Sequence, residues 1–551
     1  MFARRVWTFS LIAVIIGLAF VAEGCASLRT LENIPVAIGT APEQPGPVSL
    51  TQKQALEDFR YLFGKIKDYY PYLELLKRTQ GYDWASHESE FEAQVSTVRT
   101  SEDFAKAIAR VVLSLNNGPT QIVSGNSLKT YSSMQYWSGV AASTTQEKAD
   151  YWYALANKVA PSTNWTPFIA SYVGGQYVVT DVAPDPTLTA KIHPGYIVTK
   201  INGIPVDEYV VSHRGNWWLP YDAERKKLCE FPRLRFPTPF TWISAEFADL
   251  SGKAVSVDMA WSTVSWGTVF PNIPPKYVTE PKTTKLLGDL LDCTIDWNGE
   301  KVGYLYLPSM KVDYAADTER LREFFTSVKD LPALIIDVRN NVGGSDLYWR
   351  TNIIGLLGTY SKLTGKIGYA MREKLAEAQH MGQQTDKASF TNLVKTSRDR
   401  VPPEIWTNDF REPETFYAYK TGGLVGYRGK VYVLTSRSVF SSSETFAASC
   451  KVNGFATLVG TSTGGDGIGV TPGIIVLPNS GMVVRFPSVM GLNPDWTANE
   501  EFHTKPDVLI EESQEDLLLW LDRVRTEGYP VGPDPELDTV LRECLDLATG
   551  R

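Results

Sequence analysis

The sequence predicts a multi-domain α/β protein, and three observations carry that prediction. Residues 50–115 place apolar side chains at helical spacing. Residues 168–201 alternate apolar and polar side chains at strand spacing. From about residue 292 onward, β-branched runs alternate with amphipathic stretches, the strand–helix–strand order of a mixed α/β core. A chain of 551 residues has room for several such units.

Residues 1–25 read as an export signal, with Arg4 and Arg5 before an apolar run over 6–22. The run ends at Ala22-Glu-Gly-Cys25, which resembles the lipobox of bacterial lipoproteins. That resemblance implies lipid attachment at Cys25 and a membrane-anchored envelope protein. Ala26 in the following position implies the outer membrane. A plain signal cut near Gly24, or an uncleaved anchor, is the competing reading. Residues 26–49 are rich in Pro and Gly and read as a linker.

Residues 50–125 read as an N-terminal helical domain. Leu56, Phe59, Leu62, Phe63 and Ile66 form one helical stripe, Tyr69-Tyr-Pro71 breaks it, and Ser101-Glu-Asp opens a further helix. Within 165–262 the strands are 177–182 and 197–201, followed by an Asn202-Gly203 turn. His193 and His213 there read as surface histidines. Residues 290–551 form the largest unit. It starts with a hairpin about Asn298-Gly299, a helix over 314–328 and a buried strand over 334–336. Residues 361–427 read as a polar insertion able to wall a cleft, 474–486 as a hairpin, and 534–547 as a last helix.

The chemistry is concentrated in two stretches. Residues 431–434 predict a buried strand, a serine-rich turn follows, and 444–452 predict a helix. That order can expose a hydroxyl beside free backbone N–H groups. Ser441-Ser-Ser-Glu444 also reads as a capping box, which needs no chemistry. The second stretch ends its strand at Asp337, Arg339 and two asparagines. Gly343 and Gly344 then allow a turn whose N–H groups can face a ligand.

Together the two stretches resemble the tail-specific, or C-terminal processing, serine peptidases, in the branch related to the tricorn core. Asp337, Arg339, Asn341, Gly343 and Gly344 stand where that family carries D-x-R-x-N-x-G-G. Ser441 and Glu444 stand where it carries a serine three residues before a glutamate. The resemblance implies a crotonase-like ββα peptidase core over 290–551, a PDZ-like module over 165–262 and a polypeptide substrate. It implies Ser441 as nucleophile with Glu444 beside it. Ser442, Gly343, Gly344 and Asn341 would contact the oxyanion or substrate.

Two positions depart from the family. Pro119 stands where one branch has its general-base histidine, and a proline accepts no proton. Asp466 stands where another branch has its lysine, 25 residues after the serine (466 − 441). A serine hydroxyl needs a base to become nucleophilic. The candidates left are Asp466, with a pKa raised by burial, and His503. With neither, the chain is a pseudopeptidase that binds peptide ends, or a carrier of hydrophobic ligands on the same fold.

A formal net charge of −8 gives no basic footprint for nucleic acid. Cys229, Cys293, Cys450 and Cys544 are too far apart in sequence for a metal motif, and Cys450 reads as a buried thiol. No metal or cofactor is expected.

Overall fold

The computed structural model describes residues 50–158, 166–236, 242–260, 290–358, 367–379, 394–411, 414–416 and 423–551. The export signal, Cys25 and the linker lie outside the described residues, as does part of the 361–427 insertion.

Helix α1 (Gln52–Tyr69) buries Phe59, Leu62, Phe63 and Ile66, and a Thr51/Gln54 capping box starts it. Helices α2 (Leu73–Gln80), α3 (Glu88–Ser96) and α4 (Ser101–Leu113) follow. A Thr100/Asp103 capping box opens α4. The helical region does not stop near 125: helix α5 (Gln146–Ala156) packs on α4, burying Trp152 against Phe104. Between them strand β1 (Gln121–Ile122) leaves the helical layer.

The β-rich module is one sheet of β2 (Phe168–Val173), β3 (Gln176–Val182), β4 (Ile197–Ile201), β5 (Trp242–Ala248) and β6 (Ala254–Ala260), in that spatial order. Asn202 and Gly203, both at positive φ, make the expected tight turn after β4. His213 is not on the surface. It is buried, with Nδ1 3.0 Å from Glu230 Oε1.

The core sheet joins β7 (Leu291–Trp297), β8 (Glu300–Tyr306), β9 (Ala333–Asp337), β11 (Lys430–Thr435), β12 (Thr457–Gly460) and β16 (Val508–Leu509). Only the β7–β8 hairpin is antiparallel. Alternation decides its two faces. Leu334, Ile336 and Val433 pack on helices α6 (Thr318–Ser327) and α7 (Ser442–Asn453), while Ala333, Ile335 and Leu434 pack on α9 (Thr539–Thr549). Helix α8 (Gln514–Glu527) docks against β3 of the β-rich module. Within the 361–427 segment lies strand β10 (Ile367–Met371). It pairs with β15 (Val489–Leu492) in a second sheet. The hairpin of β13 (Gly473–Val476) and β14 (Val483–Phe486) pairs with β1, fastening the helical region to the core.

Among the described residues no helix is long and apolar enough to cross a membrane.

Candidate active site

Parallel strands β9, β11 and β12 release their chains at the same edge of the core sheet, where α/β folds place ligands. The three loops are zipped together by backbone hydrogen bonds. Phe440 N–H donates to Asn341 C=O (3.2 Å), and Gly464 N–H to Val439 C=O (2.8 Å).

The loop after β9 is anchored by a buried ion network. Arg339 pairs with Asp337 (2.7 Å) and Asp538 (2.6 Å), and Tyr304 donates its hydroxyl to Asp337 (2.8 Å). Asn341 is wholly buried. Its Nδ2 donates to Leu307 C=O (2.9 Å) and its Oδ1 accepts from Gly343 N–H (2.9 Å). The Asn341 side chain therefore shapes the loop and faces no ligand, and the Gly343 N–H is already taken. Gly344 N–H and Ser442 N–H donate to no other protein group among the described residues. Gly344 has a φ of 146°, and a Cβ there would collide with the Met310 carbonyl oxygen. Gly343 presses on the serine turn: a Cβ would lie 2.6 Å from Ser441 Cβ and 2.9 Å from Ser442 N.

Ser441 sits on the turn between β11 and α7, with φ 56° and ψ −130°, a strained left-handed conformation that re-aims its side chain. The capping box does not form. Ser441 makes no side-chain cap bond, and Glu444 turns away into the interior, accepting from Asn499 Nδ2 (2.7 Å), Thr504 N–H (3.1 Å) and Thr504 Oγ1 (2.6 Å). Burial raises the Glu444 pKa against those donors. Glu444 thus ties α7 to the 499–504 segment and lies behind the serine.

Ser441 lines a cleft with Ser442, Asp466, Pro119, Arg485, Tyr72 and Asp346, and an apolar wall of Ile468, Val470, Pro472 and Val489. Pro119 and Asp466, the two positions where the family's bases stand, both border this cleft. Arg485 Nε donates to Pro119 C=O (2.9 Å). Gly467 closes over the serine turn, where a Cβ would strike Ser441 C=O and Glu444 Cβ.

Asp466 has a partner that the sequence reading missed. Glu500, on the short helix Asn499–Phe502, meets it across a chamber behind the cleft. Asn117 Nδ2 donates to Glu500 Oε1 (2.7 Å), and Thr120 orients that amide through Asn117 Oδ1 (2.7 Å). Desolvation, reinforced by the neighbouring Glu444 charge, pushes Glu500 up to about 7. Desolvation and the Glu500 charge push Asp466 well above the carboxylate range, opposed by the Arg485 cation. The two behave as one titrating pair. Glu500 was hidden in sequence because an acidic doublet, Glu500-Glu501, reads as a solvated face.

His503 is buried rather than on the surface. Its Nδ1 lies 2.6 Å from Thr463 C=O, fixing the Nδ1–H tautomer. It borders the rear chamber with Asp466 and Glu500, behind Gly465, and not the Ser441 cleft. Desolvation lowers its pKa to about 4, so the ring is neutral at physiological pH. Cys229, Cys450 and Cys544 are buried free thiols and Cys293 is a half-buried one. Among the described residues no group of His, Cys, Asp and Glu is arranged to hold a metal.

The fold has solved counterparts. Mature CPAF superposes with a TM-score of 0.55 over 91% of this chain and 99% of its own, at 15% identity. CPAF in complex with lactacystin gives 0.54 over 91% and 100%, also at 15% identity. No curated protein matches the sequence. Residues 301–510 match the sequence pattern of peptidase family S41. That span runs from β8 to the end of β16 and holds the glycine turn, Ser441, Asp466 and Glu500, so the core of this chain is a peptidase family S41 domain.

Proposed function

We propose that the chain is an exported, envelope-anchored serine peptidase that cuts polypeptides through Ser441, with the Asp466–Glu500 pair as its base. The observation that carries this reading is Ser441 itself. It is strained, uncapped and placed on one cleft wall with Asp466. In this reading the ionised pair accepts the Ser441 hydroxyl proton as Oγ attacks the scissile carbonyl carbon. The tetrahedral oxyanion faces Gly344 N–H and Ser442 N–H, which no protein group occupies among the described residues. The pair then returns the proton to the departing amine, and water releases the acyl group by the same steps. Glu500, raised to about 7, suits the pair to give and take a proton near neutrality.

One observation favours a second reading. Ser441 Oγ makes no hydrogen bond to any base among the described residues, which suits a pseudopeptidase that holds peptide ends without cutting. Peptide cleavage by purified wild type, Ser441→Ala and Asp466→Asn proteins separates the two. The peptidase reading expects both variants to lose cleavage, Ser441→Ala by as much as about 10⁶-fold. Cleavage that survives Ser441→Ala removes Ser441 from the mechanism. Peptide binding without cleavage in the wild type establishes the pseudopeptidase.

A further inference from the structure

One short segment of the β-rich module, residues 218–225, reaches the serine loop, the loop after β12, the Asn116–Asn117 loop and the segment around His503. The Trp218 ring packs edge-on against Phe440, the residue before Ser441, at 5.4 Å between centroids. Leu219 exchanges two hydrogen bonds with Asn116 (2.8 and 2.9 Å), next to the Asn117 that holds Glu500. The Tyr221 ring packs on His503 at 5.9 Å. Arg225 pairs with Glu511, just past β16.

Glu224 stands at the centre of these contacts. Its Oε1 accepts from Ser462 N–H (2.7 Å), four residues before Asp466. Its Oε2 lies 3.5 Å from the Arg437 guanidinium, four residues before Ser441. Arg437 is buried, also meets Asp222 (3.2 Å), and lies over the Tyr172 ring of β2. A single carboxylate from another unit therefore bridges the loop of the nucleophile and the loop of its proposed base. The two loops also meet directly through Gly464 N–H and Val439 C=O (2.8 Å), so Glu224 adds a second tie from outside the core sheet.

We infer that Glu224 is a positioning residue for the site, setting the distance between the Ser441 and Asp466 loops from the β-rich module. The inference rests on the peptidase reading for its kinetic consequence only. Misplacement by about 1 Å costs on the order of 10²-fold in turnover, while ground-state binding along the cleft is untouched. Displacing the Ser462 end of its loop also moves Asp466 relative to Glu500, Arg485, Glu444, Asn117 and the Tyr70 and Tyr72 hydroxyls, the groups that face the pair.

The test compares wild type, Glu224→Ala and Glu224→Gln in the full chain. Glutamine keeps an oxygen for Ser462 N–H and loses only the charge facing Arg437, which Asp222 still pairs. Infrared titration of the protonated carboxyl, assigned by its loss in Glu500→Gln, reads the pair whether or not the protein cuts peptides. Amide exchange at Ser462 reads the bridge itself. The expected result is faster Ser462 exchange and a shifted midpoint in Glu224→Ala, both restored by Glu224→Gln. With a cleavable peptide, kcat should fall at least about tenfold in the alanine variant with KM within about twofold. If Glu224→Ala does not fold, Glu224→Asp, which withdraws the carboxylate by one methylene, takes its place. A folded alanine or aspartate variant with wild-type exchange and midpoint overturns the inference. A wild type that cleaves nothing overturns the peptidase reading instead, and the exchange and titration still decide the role of Glu224.

Discussion

At Ser441 a left-handed backbone costs about 1–3 kcal/mol, and the surrounding contacts hold it there. The charged groups nearby carry a second cost that depends on pH. The Glu500 carboxyl is raised from 4.5 to about 7 in the folded protein, and Asp466 is raised as well. Between the unfolded and folded values the native state keeps a proton that the unfolded chain has released, so stability falls as pH rises from about 4.5 to about 7. His503 works in the other direction. Its pKa falls from 6.5 to about 4, so its contribution is present above 6.5 and is lost as pH falls toward 4. Glu500→Gln should therefore gain stability relative to wild type at about pH 8 and little at about pH 4, measured by denaturant unfolding at both. Equal gains at the two pH values would remove the buried proton from the account.

At the level of elements, the glycine turn and the serine turn act as one wedge. Gly343→Ala should place its methyl against Ser441 Cβ, displacing the nucleophile and lowering turnover by at least about tenfold with a modest loss of stability. Gly344→Ala meets backbone, the Met310 carbonyl, and should destabilise by about 3 kcal/mol or more. Kinetics with calorimetry on both variants separates the two effects. Much of this wedge could be read from sequence. A β-branched run ending in serines, and an apolar run ending in Asp337, Arg339, Asn341 and two glycines, dictate strands and turns through local chemistry alone. The capping box at Ser441 was equally well written in the sequence and does not form. Asn499 and Thr504 draw the Glu444 side chain inward, a tertiary contact that no local rule contains. The same holds for Asn341, which sequence placed facing a ligand and the fold turns into its own loop. Glu500 and the inward-facing His503 depend on chain crossings far from Ser441, and periodicity carries no trace of them.

On the scale of the whole molecule, the site lies where three units meet. The helical region supplies Asn117 and Tyr72, the β-rich module supplies Trp218 and Tyr221, and the S41 domain supplies Ser441, Asp466 and Glu500. The helical region is joined through β1 and through Arg78, which pairs with Glu404 (2.7 Å) and Glu501 (2.8 Å), the neighbour of Glu500. We propose from the pattern of residues 1–25 that the assembly is anchored at Cys25. Cys25→Ala should abolish palmitate incorporation and leave the precursor uncleaved, and unchanged labelling in the variant would exclude the anchor. The central claim, that Ser441 is activated by the carboxyl pair, is tested most directly by the rate of fluorophosphonate attachment to Ser441 against pH, followed by mass spectrometry. The account expects the rate to rise through about pH 7, where Glu500 ionises, and to lose that rise in Glu500→Gln. A rise through about pH 4, where His503 becomes neutral, or no attachment to Ser441 at any pH, would contradict it.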